Sequence, residues 1–102
     1  MEIRCYTEDI LKFILSLEKK SSSSIDRLIL LLHKCGNEIK MPYSKALGGG
    51  LFELRKLGKR QIRVIYCFHN QEAFILHVFE KKDNLISKQD LDLAKFRKAT
   101  LA

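Results

Sequence analysis

The sequence predicts an α+β domain: an N-terminal helical hairpin packed on a small, mainly antiparallel twisted sheet, with one helix at the C-terminus. Three observations carry that expectation. Apolar residues recur at helical spacing up to Cys35, the period changes to two from Leu51 to Lys81, and helical spacing returns after Ser87. A chain of 102 residues with 46% hydrophobic residues can bury one core, so residues 1–102 read as a single domain.

The elements follow in order. Ile3 and Cys5 in EIRCY alternate as a short first strand. Thr7 can cap a helix whose first turn carries Glu8 and Asp9, favourable at the positive end of the helix dipole. Its apolar stripe is Ile10, Leu11, Ile14, Leu15 and Leu17. In the run SSSS, Ser24 is placed as the cap of a second helix, in which Ile25, Leu28, Ile29, Leu31, Leu32 and Cys35 recur and which Gly36 and Asn37 stop. Residues 38–50 hold the only proline, Pro42, and three consecutive glycines, so they read as a mobile surface loop carrying Lys40 and Lys45. LFELRK, QIRVIYCF and AFILHVFEK then read as three strands joined by the turns LGKR and HNQE, short enough to make neighbours antiparallel. Ser87 with Asp90 resembles a capping box for a last helix, basic through Lys88, Lys95, Arg97 and Lys98 and ending near Ala99.

Alternation assigns the faces of the three strands. Phe52, Leu54, Ile62, Val64, Tyr66, Phe68, Phe74, Leu76 and Val78 fall on an apolar face that takes the helices. Glu53, Arg55, Arg63, His77, Phe79 and Lys81 fall on the other. An unpaired guanidinium is too costly to desolvate in a core, so this second face is expected to be open to solvent or to a charged ligand.

Nineteen Lys and Arg against twelve Asp and Glu give a formal charge of +7, which points to nucleic acid, an anionic surface or an acidic protein as partner. The N-terminus has no signal-peptide pattern and no run of roughly 18–20 apolar residues occurs, so a soluble cytoplasmic protein with no membrane partner is expected. Cys5, Cys35 and Cys67 are odd in number and lack a C-x-x-C pair, which reads as three buried thiols, not a disulfide framework or zinc site. No ligand set for a metal and no motif for a cofactor is present, so none is expected.

The second face suits phosphodiester chemistry. Arginines and lysines can neutralise the charge of a pentacovalent phosphorane, and Phe79 offers a surface on which a base can stack. RNA brings its own nucleophile in the 2′-hydroxyl, leaving the protein to supply a base, a cationic clamp and a proton donor. Glu53 and His77 are the base candidates by residue type. Arg55 stays protonated and is assigned to charge stabilisation.

The glycine run followed by LFELR, the R-x-x-Y of Arg63 to Tyr66, the H-x-F-x-K-K of His77 to Lys82 and the L-A-K-x-R of Leu93 to Arg97 resemble the HigB-like branch of the RelE/ParE toxin superfamily. The resemblance implies an mRNA-cleaving toxin, acting on the ribosome and silenced by a cognate antitoxin. It places Glu53, Arg55, Arg63, Lys81 and Lys82 where the superfamily keeps catalytic or phosphate-binding groups. The branch's Thr-Pro before the last helix is Ile86 and Ser87 here, and no tyrosine lies in the C-terminal segment, which leaves the general acid unassigned. The expected catalytic set is therefore Arg55, Arg63, Glu53, His77, Lys81 and Lys82, with Lys45, Phe79, Lys88, Lys95 and Lys98 as RNA contacts. A gyrase-directed toxin of the ParE type and a non-catalytic nucleic-acid-binding module are the alternatives.

Overall fold

The computed structural model describes residues 1–82 and 85–101. In chain order the elements are β1 (Ile3–Cys5), α1 (Glu8–Ser16), α2 (Lys19–Cys35), a 3-10 turn (Gly36–Glu38), β2 (Ser44–Gly48), β3 (Leu51–Lys56), β4 (Ile62–His69), β5 (Glu72–Glu80) and α3 (Lys88–Ala99). The strands form one sheet in the order β1-β5-β4-β3-β2. β1 runs parallel to β5, and the other pairings are antiparallel.

This architecture corrects the expected one. The sheet is five-stranded and mixed, not a small antiparallel sheet under an N-terminal hairpin. α1 lies against β5 and α2 against β3, so each helix leans on the sheet in its own right, and α3 covers the opposite face over β4 and β5. β2 forms inside the stretch read as a loop. Gly49 and Gly50 both have positive φ, 62° and 81°, the conformation of a tight turn between right-twisted strands. The triple glycine thus closes a hairpin whose strands pair Lys45 with Glu53 and Gly48 with Leu51.

The serine run is also reassigned. α2 starts at Lys19, with Glu18 as its cap: the Glu18 side chain accepts from the Ser21 backbone N–H at 3.0 Å and from the Ser21 hydroxyl. Ser22 and Ser24 donate to the carbonyls of Lys19 and Lys20 one turn back, so the hydroxyls are satisfied inside the helix.

Two cores result. Between the sheet and α1/α2 lie Ile10, Ile14, Ile25, Leu28, Leu32, Leu54, Ile62, Val64, Tyr66, Ala73, Ile75 and Val78. The Tyr66 hydroxyl meets the Ser44 hydroxyl there at 2.6 Å, tying the edge strand β2 to the core; burial pushes the phenol's pKa up, the Ser44 bond opposing it. Beneath α3 lie Leu51, Ile65, Cys67, Leu76 and Ala94. Strict alternation put Phe74 and Leu76 with Val78, and the structure corrects this. Ile65 faces His77 while Tyr66 faces Ile75, so Leu76 is the extra residue of a β-bulge. The bulge sends Phe74 and Leu76 under α3 and Ile75 under α1. Arg97 of α3 donates to the Leu76 carbonyl at 2.6 Å and lies 5.3 Å from the Tyr6 ring centroid.

The cysteines are free, but only Cys67 is buried; Cys35 is intermediate and Cys5 exposed. Desolvation pushes the Cys67 thiol's pKa up, partly opposed by Lys98. No helix among the described residues is long and apolar enough to cross a membrane.

Candidate functional site

β3 and β4 place the two arginines side by side, since Arg55 pairs with Arg63 across the ladder and Glu53 sits two residues before Arg55 on the same face. The face was expected to be open. Its centre is closed instead: Arg63 is 1% exposed and Glu53 2%. The Glu53 carboxylate lies between the guanidinium groups, 3.7 Å from Arg63 Nε and 3.8 Å from Arg55 Nε. Arg63 also donates to the carbonyls of Lys56 (3.2 Å) and Ile62 (3.3 Å) and to Gln61 Oε1 (3.1 Å). These bonds are what make a buried guanidinium tolerable. Burial lowers the Arg63 pKa, Glu53 opposing the shift and Arg55 adding to it.

Two arginines against one carboxylate leave the cluster one unit positive. Three of its polar atoms, Glu53 Oε2, Arg55 Nε and Arg63 Nε, have no hydrogen-bond partner among the described residues. Arg55 forms the rim, its side chain 21% exposed and its Nη1 3.5 Å from Met41 Sδ.

Phe79 is the next residue along this row, opposite Arg63 on β5. The His77 ring stacks on it, with centroids 5.2 Å apart and planes 23° from parallel. His77 Nε2 lies 2.7 Å from Asp90 Oδ1. A carboxylate only accepts, so Nε2 carries a proton; in the neutral ring Nδ1 is then the accepting nitrogen. Asp90 also receives the Ser87 hydroxyl at 2.7 Å, while its own N–H donates to Ser87 Oγ at 3.1 Å. Burial pushes the Asp90 carboxyl up, but hydrogen bonds from His77 and Ser87 outweigh it and hold the pKa below the ordinary aspartate value. The helix cap anticipated from Ser87 is thereby also the clamp on His77. Lys81 and Lys82 follow, lining with Phe79, Ser87 and Asp90 a pocket of about 160 Å³.

The other expected contacts are dispersed. Lys45 is exposed on β2, opposite Glu53 in register. Lys95 and Lys98 border a separate depression of about 480 Å³ with Leu47, Gly48, Gly49, Leu51 and Leu91. Lys88 points away in an exposed pair with Asp92 at 3.3 Å. Among the described residues no group of three His, Cys, Asp or Glu side chains is placed to hold a metal ion.

Sequence reasoning gave Asp90 only a capping role and Gln61 none. The sequence held no signal for the pairing of His77 with Asp90, because alternation put His77 on the face expected to be open and the contact depends on α3 packing over that face.

The family model described as Phage derived protein Gp49-like (DUF891) matches residues 12–99, from α1 to the last residue of α3. The chain belongs to the Gp49-like family. That family is associated with RelE-like toxin–antitoxin modules, which makes this Gp49-like chain a toxin-type component with a cognate antitoxin as partner. No curated protein matches the chain. The span matched by the Gp49-like model contains every member of the Glu53, Arg55, Arg63, His77 and Asp90 constellation.

Proposed function

We propose that the chain is the toxin of a type II toxin–antitoxin module, of the HigB-like kind, and that it cleaves mRNA on the ribosome as an endoribonuclease that uses no metal. The observation that carries the reading is the net-positive Arg55–Glu53–Arg63 cluster, with Arg55 at its rim, running into Phe79 and a His77 ring aligned by Asp90.

In this reading His77 Nδ1 takes the proton of the RNA 2′-hydroxyl. The 2′-oxygen attacks phosphorus, the P–O5′ bond breaks, and the products are a 2′,3′-cyclic phosphate and a 5′-hydroxyl. Lys81 gives a proton to the leaving oxygen. Arg55, at the rim, meets the phosphate, and charge that develops there in the transition state is stabilised more strongly than in the ground state. Phe79 stacks on His77 and fixes its plane. Glu53 serves as counter-ion to the two arginines rather than as base, because its carboxylate is enclosed by them.

The burial of Arg63 and Glu53 favours a second reading in which the cluster is structural and the toxin acts without cutting RNA, as a gyrase-directed or purely binding protein. Expression without antitoxin, with RNA 5′ ends mapped and gyrase-dependent DNA breaks scored in parallel, separates them. New 5′-hydroxyl ends in mRNA, lost in Arg55→Ala and His77→Ala, are expected. Growth arrest with intact transcripts would reject the nuclease.

A further inference from the structure

Between α2 and the end of β3 lies a depression of about 440 Å³ that the chemistry above does not use. Its walls are apolar: Leu28 and Leu31 from α2, Tyr43 before β2, and Leu57 after β3. Tyr43 and Leu57 are 51% and 52% exposed, which is unusual for large apolar side chains lying next to one another around one hollow.

The rim is cationic. Arg27, Arg55 and Lys56 line it and no carboxylate does. Arg27 has only the Ser24 hydroxyl, at 3.5 Å, and the Lys56 ammonium donates to the carbonyls of Leu57 and Arg60. Neither cation is paired with an acid among the described residues. An apolar floor under unpaired cations is complementary to a peptide whose apolar side chains are flanked by Asp or Glu. Nucleic acid would use the cations but leave the leucines without a partner.

We infer that this groove seats a short segment of the cognate antitoxin, apolar side chains inward and carboxylates on Arg27 and Lys56. Arg55 lines the groove and also belongs to the cluster with Glu53 and Arg63. A carboxylate brought to this rim therefore lowers the positive charge available to a phosphate, and occupancy of the groove silences the site. This last step rests on the nuclease reading; the docking itself does not.

The test uses the full chain and its cognate antitoxin, whole and as overlapping peptides. Leu57→Asp and Arg27→Glu alter exposed positions outside the catalytic set, and thermal unfolding checks that both variants fold. Titration calorimetry is expected to show each variant binding the antitoxin about 10–100-fold more weakly, with the strongest peptide carrying acidic residues beside apolar ones. Cleavage by the free variants should equal that of the parent. Parent-like antitoxin affinity in both folded variants overturns the proposal. So does loss of RNA binding with antitoxin affinity kept, or a groove-dependent dimer of the free chain in sedimentation. If the parent cuts no RNA while the variants still lose the antitoxin, the docking site stands and the nuclease reading falls.

Discussion

Replacing Glu53 by glutamine should be among the most damaging single changes in the chain, although it removes only a charge. The carboxylate stands 3.7 Å from Arg63 Nε and 3.8 Å from Arg55 Nε. At an effective dielectric near 20 each pair has a gross attraction of about 4 kcal/mol, much of it offset by desolvation. Without the carboxylate two guanidinium groups face each other on adjacent strands, one fully buried. The expected loss is about 3–5 kcal/mol, the scale for breaking a buried ion pair by removing one partner. At roughly 4–8 °C per kcal/mol for a domain of this size, the unfolding midpoint should fall by at least about 12 °C. The double variant Glu53→Gln/Arg63→Met should recover most of that loss, because the second change removes the charge that the first left unpaired. Urea unfolding of the parent, the two singles and the double closes the cycle. If the double is as unstable as the two singles combined, the cluster is not held by mutual neutralisation and the reasoning fails. RNA cleavage should stay low in the double, which separates stability from chemistry.

Asp90→Asn should lower single-turnover cleavage while leaving ribosome binding intact, and a structural role alone would not change the pH profile of the remaining activity. Because the folded Asp90 pKa is below its unfolded value, its stabilisation is present above the unfolded pKa and lost as pH falls through the folded one; melting curves between about pH 5 and pH 2 should therefore fall more steeply for the parent than for the variant. Gly50→Ala should destabilise the β2–β3 hairpin by about 1 kcal/mol or more, since φ is +81° and a Cβ would stand 3.0 Å from Lys98 Cε; denaturant midpoints check it. Lys95→Ala and Lys98→Ala should weaken RNA affinity and reduce its salt dependence while saturated turnover stays unchanged, as measured by binding titrations over a range of ionic strength.

The elements built on strong periodicity were legible: β3 and β4, both long helices in outline, and the cap of α3 at Ser87. What was not legible came from partners distant in sequence. SKALG has too little alternation to declare a strand, and β2 exists because β3 offers an edge and the glycines turn the chain onto it. The parallel placement of β1 depends on an edge supplied by β5. On the second face the positions of Glu53, Arg55, Arg63, His77 and Phe79 were legible, but the bulge moved Phe74 and Leu76 onto it, and its exposure was misread because alternation carries no information on whether α3 and the neighbouring side chains close over it. Arg63 was thought too costly to bury; Gln61 and the Ile62 carbonyl, its neighbours in sequence, meet part of that cost, and the β3–β4 register brings Glu53 and the Lys56 carbonyl to meet the rest.

The β1–β5 contact also orders events during synthesis. Arg4 and Glu72 are paired across 68 residues of chain, so β1 has no partner strand until β5, far later in the chain, has been made. Closing so long a loop is entropically costly and slows folding. The helices can form early, but β5 is also the strand that carries His77 and Phe79. In the nuclease reading, the candidate site is therefore completed only after β5 has been made and has paired with both β4 and β1.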